Sequence, residues 1–162
     1  MSDEDIAQIL RESKVIAIVG LSPKEERPSW GVGRFLKSQG YRIVPVNPGH
    51  VGHEILGERV FANLASIPKE MRVDMVDIFR RSESVPGIVE EALIALPYLC
   101  TIWMQIGICS HEGASTARAA GIKVVQNRCP KIELPRLGVR PPRTEYKPDD
   151  WRGSPPPPRH SG

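Results

Sequence analysis

Seven residues between positions 20 and 33 have the chemistry of a phosphate pocket. In the stretch IAIVGLSPKEERPSWGVG, Gly20 ends an apolar run and is followed by Ser22, Lys24, Arg27, Trp30, Gly31 and Gly33. Glycines let a backbone come close to an anion. A hydroxyl and two cations supply donors. The first turn of a helix adds exposed N–H groups and a partial positive charge. The spacing separates this loop from two better-known phosphate binders. GxGxxG sets three glycines over six residues directly after a strand, whereas about ten residues separate Gly20 from Gly31. A P-loop needs GK[ST], which is absent here.

Other reactive side chains have plainer explanations. His111 and Glu112 stand where a catalytic pair could sit, but Ser110 as a helix cap with an acidic first turn accounts for them. His50 and His53 lack a third ligand at metal spacing. Cys100, Cys109 and Cys129 are odd in number and form no CxxC, so they suggest neither a disulfide framework nor a metal site. Cys129, in NRCPKIE, has two readings: a mixed disulfide with a thiol ligand, or the commoner small buried apolar residue. No catalytic residue and no metal ligand is assigned.

The phosphate-suited residues need elements to position them. Residues 3–13 read as an amphipathic helix. VIAIV, 15–19, reads as a strand covered on both faces. A helix is expected from Trp30–Gly31, closing at Gly40. Strands follow at 41–46, 73–79, 99–104 and 123–126. Between them lie a helix after Ser82 or Ser84, stopped by Pro97, and an alanine-rich helix at 111–120. Residues 49–68 read as a long connection with a short edge strand near 58–61, and residues after Pro130 as a short closing segment. Strands alternating with helices predict an α/β, Rossmann-like three-layer fold around a mostly parallel five-stranded sheet. In such sheets ligands lie beyond the C-terminal strand ends. Those ends carry Gly20-Leu21-Ser22, Val46-Asn47-Pro48, Phe79-Arg80-Arg81, Gln105-Ile106-Gly107 and Asn127-Arg128.

Composition narrows the partner. The chain has 162 residues, 40% hydrophobic, with a formal net charge of +3. That length suits one domain with a real core, and the charge is too low for a nucleic-acid face. No apolar run reaches the roughly 20 residues of a membrane span. The acidic start MSDEDIAQIL is unlike a signal peptide, so a cytoplasmic protein is expected. Residues 1–138 read as the domain. Residues 139–162 read as a proline-rich tail, able to pack back through Tyr146 and Trp151 or to offer Pro155–Pro158 to a partner.

The second strand discriminates among nucleotides. A nicotinamide-binding fold usually carries Asp or Glu there for the ribose diol, but this strand ends Val46-Asn47-Pro48. A ribose bearing a phosphate, as in coenzyme A or NADP, tolerates Asn better than a carboxylate.

The stretches VGLSPKEERPSWGVGRFLKSQGYRIVPVNP, LGERVF, VDMVDIFRRSESVPGIVEEA, WMQIG and AAGIKVVQNRCPKIE resemble the stand-alone CoA-binding proteins of the YccU-like group. These are similar in turn to the N-terminal domain of succinyl-CoA synthetase α subunits. The resemblance covers about residues 6–138. It implies coenzyme A or an acyl-CoA bound along the strand tips. By motif match, Gly20, Ser22, Lys24 and Arg27 would hold the pyrophosphate region. Val46, Asn47 and Pro48 would line adenine and ribose, and Phe79, Arg80 and Arg81 would flank the nucleotide. Gln105 and Gly107 would follow the pantetheine. Trp30, Gly31 and Gly33 belong to the same loop and helix start. The ATP-grasp region and phosphorylated histidine of the synthetases have no counterpart in this sequence, so a binding module is expected rather than an enzyme. An NAD(P)-dependent enzyme and an interaction protein acting through the tail are the alternatives.

Overall fold

The computed structural model describes residues 1–141. The expected readings of Tyr146, Trp151 and Pro155–Pro158 lie outside the described residues.

The sheet follows from five short apolar runs. β1 (Val15–Val19) lies between β2 (Arg42–Val46) and β5 (Met75–Ile78); β6 (Thr101–Met104) and β7 (Lys123–Val125) continue outward from β5. Every pairing in this five-stranded sheet is parallel, with Val19 opposite both Val46 and Ile78. Four of the five strands are buried almost throughout, which explains their continuous β-branched and apolar character.

Side-chain alternation divides the core in two. Ile16, Ile18, Ile43, Met75 and Trp103 meet helices α1 (Asp3–Glu12), α2 (Pro28–Ser38) and α5 (Pro130–Arg136) through Ile6, Ile9, Leu10, Val32, Leu36 and Leu134. Ala17, Val19, Val44, Val76, Ile78 and Ile102 meet α3 (Val85–Ala95) and α4 (His111–Ala119) through Val85, Val89, Ala92, Ala114 and Ala117. The three-layer α/β expectation therefore holds.

Two local expectations need correction, and a third, the short edge strand near 58–61, is met in part. α2 begins at Pro28 rather than at Trp30–Gly31, because proline at the first helical position loses no needed N–H and already has the right φ. The connection after β2 holds a small antiparallel hairpin, β3 (Glu54–Ile55) with β4 (Glu58–Arg59). Phe61 then bridges back, parallel, to Val46 at the sheet edge. The closing segment is the helix α5, although Pro135 sits inside it. Val139 packs against the α1–α2–α5 cluster, so folded contacts run one residue past the expected boundary at 138.

Candidate functional site at the strand tips

Strand order β2-β1-β5-β6-β7 places a topological switch between β1 and β5. The chain leaves β1 towards β2 on one side and returns to build β5 on the other. A crevice opens at the C-terminal end of such a pair.

The two loops at this switch touch. Gly20 has φ +92°, and a Cβ placed there would lie 2.6 Å from the Phe79 carbonyl oxygen. Only glycine fits both the conformation and the approach. Phe79 N in turn donates to Val19 O at 2.9 Å, and Gly20 N to Val46 O at 2.8 Å. Asn47 fastens the third tip: its Nδ2 donates to Leu21 O at 3.0 Å while its Oδ1 accepts from Gly49 N at 3.0 Å.

The first loop is braced from within. Ser29 Oγ accepts from Ser22 N at 3.0 Å, Ser22 Oγ from Lys24 N at 3.1 Å, and Lys24 O from Arg27 N at 3.0 Å. Lys24 and Arg27 are exposed. The loop delivers the chain into α2, whose first turn has no side-chain cap. Trp30 and Phe79, both half-buried, border the same apolar cluster, and the Arg34 guanidinium lies 5.6 Å from the Trp30 ring centre. Arg80 is half-buried and Arg81 exposed at the tip of β5. Among the described residues, Lys24, Arg27, Arg80 and Arg81 enter no ion pair, whereas Arg128 pairs with Glu133 and Arg136 with Asp3 and Glu133.

The tips of β6 and β7 are joined through Asn127, whose Oδ1 accepts from Gly107 N at 2.7 Å. Ser82 Oγ accepts from Cys109 N, and Gln126 Oε1 from Ser110 N. Ile106 is exposed beside Gly107. Gln105, by contrast, is 6% exposed, and one polar atom of its carboxamide lies 3.1 and 3.2 Å from the two oxygens of Asp77. Burial raises the Asp77 carboxyl well above the ordinary range.

The expected site residues thus divide by position. Gly20, Ser22, Lys24, Arg27, Trp30, Gly31, Asn47, Pro48, Phe79, Arg80, Arg81 and Gly107 lie on the rim with at least partial exposure. Val46, Gly33 and Gln105 are buried and do not reach it. Val46 is buried in the α3–α4 core, and a Cβ at Gly33 would meet Leu56, Leu21 and Ile18, so Gly33 serves close helix packing. Cys129 is buried beneath the start of α5. Sequence reasoning gave no role to Ser29 or to Asn127, although Asn127 stood among the strand ends, and passed over Asp77. The first two act through backbone partners that no local pattern shows. Asp77 did leave a signal, an acid inside the apolar run VDMVDIF.

No group of three or more His, Cys, Asp or Glu residues able to hold a metal occurs among the described residues. No helix among them is long and apolar enough to cross a membrane.

Five parallel strands in the order β2-β1-β5-β6-β7 between two helical layers define a Rossmann-like α/β fold. A family profile described as CoA binding domain matches residues 14–135, and the chain belongs to that family. It is 36% identical over 131 residues to the uncharacterized protein YneT of Bacillus subtilis, covering 81% of this chain and 93% of YneT. A hypothetical protein from Pyrococcus horikoshii superposes with a TM-score of 0.78 at 35% identity, covering 85% of this chain and 92% of that one. The same fold recurs in a dinucleotide forming acetyl-coenzyme A synthetase from Ca. Korarchaeum cryptofilum (TM-score 0.58, 21% identity). There the match covers 74% of this chain and 27% of that one.

Proposed function

We propose that this protein binds coenzyme A or an acyl-CoA across its strand tips and carries out no catalysis of its own. The observation behind this reading is the contact of two phosphate-suited loops at the switch point. Gly20 lets the 20–28 loop meet Phe79, so Lys24 and Arg27 come from one side and Arg80 and Arg81 from the other. Several cations and a helix start suit a ligand with a pyrophosphate and a further phosphate. Trp30, Phe79 and exposed Ile106 offer apolar surface for adenine and pantetheine. The absence of a carboxylate after β2 favours a phosphorylated ribose over a free diol.

Calorimetric titration with CoA, acetyl-CoA, dephospho-CoA, NAD, NADP and ATP in parallel tests the reading. Saturable heat from the CoA forms alone is the expected result. Silence for CoA with binding of NAD or NADP would overturn it in favour of a nicotinamide enzyme.

A further inference from the structure

The β3–β4 hairpin turns on Leu56 and Gly57, both at positive φ, 55° and 77°. A two-residue turn of that kind favours Asn-Gly, and a bulky residue in the left-handed region is strained. Leu56 is held there from α2. Its Cδ1 lies 3.0 Å from where a Cβ would stand on Gly33, so the leucine fills the notch that this glycine leaves. One turn further along the same face of α2, the Lys37 ammonium donates to the Leu56 carbonyl. An asparagine at 56 would make the turn at less cost but would leave the notch empty. The leucine is therefore explained by what it anchors, not by the turn.

The other end of the hairpin reaches the rim. Glu58 of β4 pairs with Arg42 of β2 at 3.9 Å, both buried. Phe61 then extends the sheet by one residue beyond β2, parallel to Val46. Phe61 N donates to Pro45 O at 3.0 Å, and Phe61 O accepts from Asn47 N at 2.9 Å. Asn47 in turn holds the first loop through Leu21 O. An unbroken line of contacts leads from the notch in α2 to the β2 tip and on to the 20–28 loop.

We propose that the hairpin is a strap that positions the β2 tip for ligand. Leu56 is a positioning residue: seated against Gly33, it fixes Phe61, Phe61 fixes Asn47, and Asn47 joins the β2 tip to the first loop. The ligand half rests on the CoA reading, in which Asn47 and Pro48 take the adenosine end. The strap itself does not rest on that reading.

Amide hydrogen exchange on the full chain, without ligand, reads the strap directly. Leu56→Asn keeps a residue suited to the turn while vacating the notch. In this variant Asn47 N–H is expected to exchange about tenfold faster than in the wild type, with the β5 and β6 amides unmoved. Leu56→Met, which refills the notch, is expected to keep wild-type protection. Unchanged protection at Asn47, or equal acceleration throughout β5 and β6, overturns the proposal. If Leu56→Asn fails to fold, Lys37→Met releases the Leu56 carbonyl alone and is read for the same acceleration at Asn47. CoA titration reads the ligand half: Leu56→Asn is expected to lower affinity about fivefold and Leu56→Met to leave it unchanged. Wild-type CoA affinity beside a loosened Asn47 overturns the ligand half. A wild type silent to CoA sinks the CoA reading and the ligand half with it, while exchange still decides the strap.

Discussion

The two ends of the sheet use charge in opposite ways. At the C-terminal tips, Lys24, Arg27, Arg80 and Arg81 enter no ion pair among the described residues and sit on loops tied down through backbone groups. At the N-terminal end a carboxylate is the tie. Asp74 accepts from Lys14 N at 3.0 Å and Val15 N at 3.1 Å, fastening the start of β1 to the entry of β5. Nearby, the Tyr41 hydroxyl donates to the Leu10 carbonyl. One end commits its carboxylate to the fold, and the other carries cations that enter no ion pair among the described residues.

The sharpest way to break this contrast is at the cations. Replacing Lys24 and Arg80 together by alanine should weaken CoA binding by about 3–6 kcal/mol, at about 1.5–3 kcal/mol per charge-assisted contact. Dephospho-CoA should lose less than CoA. Thermal unfolding should not move. Calorimetry giving wild-type affinity for the double variant would remove these residues from the site.

The glycines of the same rim should separate by surroundings. Gly20→Ala meets both a positive φ and the Phe79 carbonyl, and should lower unfolding free energy by about 2–3 kcal/mol. Gly107→Ala has φ +84° but open space around it, so conformational strain of about 1 kcal/mol remains. Equal losses in urea titrations would mean that the close approach at the switch point contributes nothing.

At the opposite end the effect depends on pH. Burial pushes the Asp74 carboxyl up to about 6 from an ordinary 3.8. The folded state therefore holds a proton that the unfolded chain has already released across that window. The stability from Asp74 is complete below pH 3.8 and is lost as pH rises to about 6. Asp74→Asn should flatten that decline in urea titrations between pH 4 and 6 while leaving CoA affinity unchanged. An unaltered pH slope would contradict the burial assigned to this carboxyl.

The strands and their order of appearance were legible because each is a short, mostly apolar run closed within two residues by glycine, an amide or arginine. Helix starts were less so. Pro28 reads as a breaker until one recognises that the first turn tolerates it. α5 was hidden by two prolines, and the β3–β4 hairpin by having only two residues per strand. At the rim, residue types pointed to the loops but not to which side chains reach the surface. Val46 alternates inward with Val44, and Gly33 faces the sheet from the second turn of α2. The pairing of Asp77 with Gln105 joins residues of adjacent strands, and no spacing within either strand announces it.

The ion pair between Asp3 and Arg136 spans 133 positions, and α1 packs directly on α5. The N-terminal helix therefore waits for α5. Until α5 leaves the ribosome, part of the apolar stripe of Ile6, Ile9 and Leu10 stays uncovered. β1, in the middle of the sheet, likewise waits for β5 some sixty residues later. Closure over such separations is slow and late, so the N-terminal helix gains its full cover only after most of the domain has been made.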